Sequence, residues 1–334
     1  MTTDARAPSA ATLFVAATLI WGSTWLGIKY QLGVVAPEVS VVYRFAAAGT
    51  LLALWCVATG RSLRFPGRDH LFLAAQGALM FGLNYSAVYV AEEHVTSGLV
   101  AVLFSTIVFM NPILMRLVHR TPLSPRVLVA AALGVAGVAL LFLPDLLAAR
   151  QGGNAAPGVA YGLGGTAVAS AGNIVTLRNQ RVGIPLFPGT ACAMLYGALC
   201  VSLLVFMQRL PWSVDARPAY WWSFAYLVAF GSIAAFGAYL TLMNRVGPGL
   251  SAFVGVRRRH DAHRRAVALD APRGLPVDRR CGGGRVPRGR RQPDRAAESA
   301  LAARALAFAG RIACAAAPVI RSAGRSRQSA SSSR

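Results

Sequence analysis

The chain has 334 residues, 55% of them hydrophobic and 14% charged, with a mean hydropathy of +0.49; this balance excludes an ordinary water-soluble domain and fits a protein that crosses a membrane many times. The formal net charge of +22 is unevenly placed: residues 1–256 carry 15 Lys+Arg against 7 Asp+Glu, and residues 257–334 carry 19 Arg against 5 acids. Five cysteines (Cys56, Cys192, Cys200, Cys281 and Cys314) form no Cys-x-x-Cys pair, so neither a disulfide framework nor a zinc site is expected, and no cofactor is implied.

Apolar runs of about 20 residues, enough to cross ~30 Å of hydrocarbon, predict spans at 11–31, 39–59, 71–91, 97–118, 127–147, 158–177, 187–207 and 221–243, with a ninth starting near Gly249. No segment alternates as a barrel strand does. The expected fold is therefore an all-α membrane protein. The first run holds Trp21 and Trp25 and has no small-residue cleavage site behind it, so it reads as a retained span.

In span one, Trp21, Thr24, Trp25 and Ile28 recur at i, i+3, i+4, i+7 and share one face. They either line a cavity or pack against other helices, with Thr24 bonded to its own backbone. Arg44 sits well inside span two. It is placed to meet a carboxylate substrate or a partner acid, unless its long stem snorkels to the interface. Span three brings Asn84, Tyr85 and Tyr89, the two tyrosines one turn apart on one face. Glu92 and Glu93 close that span, either as a solvated loop turn or, if desolvated, as the carrier of a coupling proton.

In span four, Asn111-Pro112 interrupts the backbone ladder and frees a carbonyl. Gly134 and Gly137 in span five read as close-packing points, and Asn173 is the polar candidate of span six. Tyr220-Trp221-Trp222 opens span eight as an interfacial aromatic cluster.

With the N-terminus in the cytoplasm, the inside receives Arg6, Arg61, Arg64, Arg68, Arg116, Arg120, Arg126, Arg178, Arg181 and Arg245. The outside receives Lys29, Arg150, Arg209 and Arg217. Ten against four satisfies the positive-inside rule. The element Val95-Thr-Ser-Gly98-Leu-Val-Ala recurs as Val246-Gly-Pro-Gly249-Leu-Ser-Ala, 151 residues on. That is close to five spans with their loops, and an odd number of spans inverts the second copy, as in many secondary transporters.

Trp21-Gly-Ser-Thr-Trp25-Leu-Gly-Ile-Lys29, Arg44-Phe45, the stretch Tyr89 to Gly98, Asn111-Pro112, Gly134-Val-Ala-Gly137-Val-Ala-Leu-Leu and Arg245-Val-Gly-Pro-Gly-Leu-Ser-Ala resemble the EamA type of the drug/metabolite transporter superfamily. The resemblance covers about residues 11–256. It implies ten helices in two inverted five-helix repeats, both termini cytoplasmic, and transport of small metabolites or amino-acid-like compounds across the inner membrane. On that pattern 11–147 is the first repeat and 158–256 a second repeat that stops early, with eight full spans and the start of a ninth. Residues 257–334 are a basic tail, with disorder expected from about 257 to 298.

Between Arg257 and Ser299 there are 13 arginines and no lysine, and such a stretch does not cross lipid. Reading its codons one base forward permits Met-Thr-Pro-Ile at 260–263, 150 residues after Met110-Asn-Pro-Ile113. A frameshift near codon 256 is the expectation, and a chain lacking spans nine and ten is expected to transport poorly.

A secondary transporter embedded in membrane lipid, moving a small-molecule substrate by alternating access, is the leading function. No Gly-x4-Gly-Lys-Ser/Thr phosphate loop occurs. An intramembrane enzyme would need paired acids or a Ser/His arrangement inside the spans, which hold none. Nucleic-acid binding by the tail is the other alternative, disfavoured because arginine occurs there without lysine or interleaved aromatics.

Overall fold

The computed structural model describes residues 8–246 except 121, 142, 145, 146 and 148–154. The predicted ninth span and the arginine-rich tail, with its expected disorder, lie outside the described residues. Within them the regular structure is helical. The helices are α1 (Ala10–Gln31), α2 (Pro37–Ala58), α3 (Gly67–Gln76), α4 (Asn84–His94), α5 (Ser97–Ser105) and α6 (Ile107–His119). They continue as α7 (Pro125–Leu141), α8 (Ala155–Arg181), α9 (Leu186–Met207), α10 (Pro218–Tyr226) and α11 (Ala235–Val246). A π-helical segment, Gly77–Leu83, joins α3 to α4, and a second, Leu227–Ala234, joins α10 to α11.

Local chemistry sets the ends. Ser9 caps α1 by accepting a hydrogen bond from the Thr12 backbone N–H at 3.0 Å, and Thr96 caps α5 by accepting from Leu99 at 3.3 Å. Proline opens α2 and α10, where its missing N–H costs nothing. Gly33 (φ 110°) and Gly183 (φ 88°) turn the chain out of α1 and α8 in the left-handed region that glycine adopts freely.

Among the described residues, six helical segments are long and apolar enough to cross a membrane: Ala10–Gln31, Pro37–Ala58, Gly67–His94, Ser97–His119, Leu186–Met207 and Pro218–Arg245. Of the other predicted spans, α7 is shorter over its described length, and α8 is long enough but diluted by small and polar residues. Large apolar side chains such as Leu19, Leu199 and Phe206 stand exposed while Gln31, Ser40, Arg44 and Thr166 are buried. This inside-out pattern suits lipid as the solvent.

Helices from the two ends of the chain interleave. The most extensive contacts of α2 are with α9, α1 lies along α10 and α11, and α3 to α6 pack on α8. One backbone-to-backbone approach is between Gly77 and Gly197, where a Cβ on Gly77 would clash with the Ala193 carbonyl oxygen. One core runs through Phe45, Phe81, Tyr89, Met194, Leu227 and Phe236.

The two halves repeat their anatomy at an offset near 150 residues. Helices α2 and α9 are each 22 residues long and start 149 apart. The segments Gly67–His94 and Pro218–Val246 both run α, π, α, with π starts at Gly77 and Leu227, 150 apart. The left-handed residues pair as Gly33 with Gly183 and Gly60 with Arg209.

Several expectations are corrected. Glu92 and Glu93 lie in the last turn of α4, not in a loop. Gly134 and Gly137 have nothing within 4 Å of a Cβ position, so they are not packing points among the described residues. Of the aromatic cluster only Trp221 and Trp222 are exposed; Tyr220 turns inward, 3.2 Å from the Ser40 hydroxyl. The loop before α10 is tied down by Asp215, which accepts from the Arg217 side chain at 2.7 Å and its backbone N–H at 2.8 Å. The Arg217 side chain holds this carboxyl below its usual 3.8.

Candidate functional site

Among the described residues Arg44 is the largest fully buried side chain, with 0% of its surface exposed. Snorkelling is thereby ruled out for it. Its Nε donates to the Ser232 hydroxyl at 2.9 Å and its Nη1 to the Tyr89 hydroxyl at 3.3 Å. Tyr89 in turn donates to Gln31 Oε1 at 2.8 Å. The guanidinium carbon lies 4.7 Å from the Tyr85 ring centre and 5.2 Å from that of Phe45. Four elements thus meet on one cation: the end of α1, the middle of α2, α4, and the second π segment. Ser232 comes from the other half of the chain, 188 residues away.

A second polar cluster lies beside it. Asn173 on α8 donates from Nδ2 to Asn111 Oδ1 on α6 at 3.2 Å, and its own Oδ1 accepts from the Tyr239 hydroxyl on α11 at 3.0 Å. Tyr239 packs on Trp21 with ring centres 5.0 Å apart, and Trp21 also meets Phe236 at 5.1 Å. The Trp21 indole N–H donates to the Gly231 carbonyl at 3.3 Å, next in chain to the Ser232 that holds Arg44. Trp21 therefore bridges the clusters.

The remaining predicted residues divide. Thr24 is buried on the same face as Trp21, its hydroxyl donating to the Trp21 carbonyl at 2.7 Å, so it is bonded to its own backbone. Trp25 is set apart against Phe104, 6.2 Å between ring centres. Asn84 donates to the Met80 carbonyl at 3.3 Å, satisfying backbone in the first π segment, and lies near Gly165 of α8. Glu92 is partly buried: Ser97 donates to its Oε2 at 2.7 Å, while Oε1 is buried without a partner.

Gln31, Ser232 and Tyr239 were missed from sequence. Each left a trace: Gln31 falls seven residues after Thr24, Ser232 is a hydroxyl inside an apolar run, and Tyr239 lies 150 residues after Tyr89. A cleft lined by Gln76, Thr176, Asn179, Gln180, Pro185 and Leu240 lies elsewhere, and none of the predicted residues lines it. Chemically, the Arg44 cluster holds a fixed positive charge behind aromatic walls; the Asn173 cluster offers neutral donors and acceptors.

Comparison with known proteins agrees with this architecture. The model of the EamA-like transporter family matches residues 8–143. The uncharacterized inner membrane transporter YedA of Escherichia coli (strain K12) is 30% identical over 242 residues, 70% of this chain and 74% of that protein. Protein PagO of Salmonella typhimurium is 29% identical over 100 residues, 30% of this chain and 33% of that one. A solved structure, described only as the crystal structure of a protein, superposes with a TM-score of 0.54 at 17% identity, covering 91% of this chain and 96% of that one; this last likeness is one of fold alone.

Proposed function

The chain belongs to the EamA-like transporter family, and from that premise we propose that it is a secondary transporter of small metabolites or amino-acid-like compounds, exporting them across the inner membrane by alternating access. Membership in a transporter family points to transport and away from catalysis. YedA is named an inner membrane transporter, which supports that location.

The observation that carries the mechanism is the repeated anatomy at an offset near 150 residues. Tyr89 and Tyr239 occupy matching places in the two α-π-α segments, and each belongs to one of the two polar clusters. Five spans per unit invert the second copy, and two inverted units rocking about a shared site expose it to each side in turn. In this reading the chain has eight full spans and the start of a ninth, 11–147 forms the first unit, and 158–256 the incomplete second. The substrate sits between Trp21, Arg44, Tyr85, Tyr89, Asn111 and Asn173, with Thr24, Trp25 and Asn84 supporting the walls. Glu92, whose Oε1 is buried without a partner, is the proposed carrier of a coupling proton.

Reconstitution into vesicles of a form whose reading frame is corrected by one base near codon 256, restoring spans nine and ten, and flux measurement over a panel of amino acids and small metabolites tests the reading. At least one compound should move, and Tyr89→Phe should slow it. Flux indistinguishable from protein-free vesicles for every compound overturns it.

A further inference from the structure

The Arg44 cluster lacks a countercharge. Its guanidinium is enclosed by protein, and every partner it has is neutral: Ser232, Tyr89, and the ring faces of Tyr85 and Phe45. Among the described residues no carboxylate pairs with it. Burying a cation costs several kcal/mol unless an anion answers it, and ring faces recover only part of that.

The deficit has a location. Arg44 Nη2 is buried and has no hydrogen-bond partner. A Cβ at Gly231 would come within 3.0 Å of this nitrogen and 2.9 Å of Thr24 Cγ2, so it is the glycine that lets the second π segment pass this close to the free donor. Gln31 carries a second buried unpartnered donor, Nε2, on the amide whose oxygen accepts from Tyr89. Two unmet donors attached to one tyrosine hydroxyl call for a ligand group that only accepts hydrogen bonds.

Resting on the transporter reading above, we propose that the transported solute carries a carboxylate, received by Arg44 Nη2 with Gln31 as the second donor. One guanidinium matches one negative charge. A phosphate, closer to two charges at neutral pH, would leave an excess in the same closed space. The charge of Arg44 thus selects acids over their amides, while the Tyr85 and Phe45 rings exclude water from the pair.

The test uses the full chain in lipid nanodiscs and pairs of solutes that differ only at the carboxylate: lactate and lactamide, leucine and leucinamide, benzoate and benzamide, with inorganic phosphate alongside. Binding is read as the shift in Tm with solute concentration. At least one acid should bind roughly 10- to 100-fold more tightly than its amide, the range a charge-assisted hydrogen bond supplies. Arg44→Gln should erase that preference, and Arg44→Lys should recover part of it; if the glutamine variant does not fold, the lysine variant's reduced preference serves. The inference is overturned if amides bind as well as acids, if phosphate is preferred, if the preference survives Arg44→Gln, or if no compound shifts Tm. The two readings separate in flux through the one-base-corrected form: transport of a neutral solute untouched by Arg44→Gln sinks this inference alone, and acid-selective binding with no flux of any solute sinks the transporter reading alone.

Discussion

Asn173 holds three helices with one amide: it donates to Asn111, accepts from Tyr239, and through Tyr239 touches the Trp21 ring. In lipid an interhelical hydrogen bond contributes on average about 0.6 kcal/mol and at most about 1.7. Asn173→Ala strands two partners at once, so a loss of about 1–2 kcal/mol is expected, read by denaturant or thermal unfolding in detergent. Asn173→Asp keeps the acceptor for Tyr239 but replaces the donor to Asn111 by a charged oxygen facing the Asn111 oxygen, and should cost more. Equal stability of the alanine variant and the parent would mean that the amide is spectator to the packing.

The helix crossing at Gly77 and Gly197 is where α9 meets the first π segment backbone to backbone. A Cβ on Gly77 would clash with the Ala193 carbonyl and one on Gly197 meets the Gly77 carbonyl at 2.7 Å. Neither neighbour is a flexible side chain, so the helices must separate. Overpacking costs about 1–3 kcal/mol even where side chains yield, and Gly77→Ala should reach or exceed that range in unfolding measurements. Gly164 is the control within α8, with nothing within 4 Å of its Cβ position; Gly164→Ala should leave stability unchanged. The neighbours of Gly164 behave otherwise: Gly162 packs against Leu103 and Gly165 against Ala87, so both are already used by the first half. A stable Gly77→Ala variant would show that the crossing is looser than its geometry.

Over the whole molecule, the arginine distribution and the repeat make two demands. Reporter fusions after Arg64 and Arg178 should read cytoplasmic and those after Gln151 and Asp215 periplasmic, following the ten-to-four bias. A cytoplasmic signal at Gln151 would break the inverted arrangement. The arginine-rich stretch from Arg257 is proposed to be a shifted reading frame of a gene for two more helices. Side-by-side expression of this chain and a one-base-corrected form should give higher yield and flux from the corrected form, since alternating access engages both units. Equal flux from the two would establish the basic tail as a working terminus.

From sequence alone come the positions of the six membrane-crossing segments among the described residues, because helix length and hydropathy are local properties set by the thickness of hydrocarbon. The family motifs and the internal offset were legible for the same reason: they are ordered patterns along one dimension. Arg44, Tyr85 and Tyr89 were found because charge or polarity inside an apolar run is conspicuous wherever it points. What tertiary structure decided is which of these groups meet. Helices apolar all round carry little periodic signal to say which face turns inward, so Asn173 gave no sign of being a hub, Tyr220 passed for an interfacial anchor, and Gly134 and Gly137 passed for packing points. Gln31, Ser232 and Tyr239 join the site only because α1, the second π segment and α11 are packed around residues 58 to 210 positions distant. Contacts at that separation depend on how whole helices nest against one another, a property of the assembled bundle that no window of sequence contains.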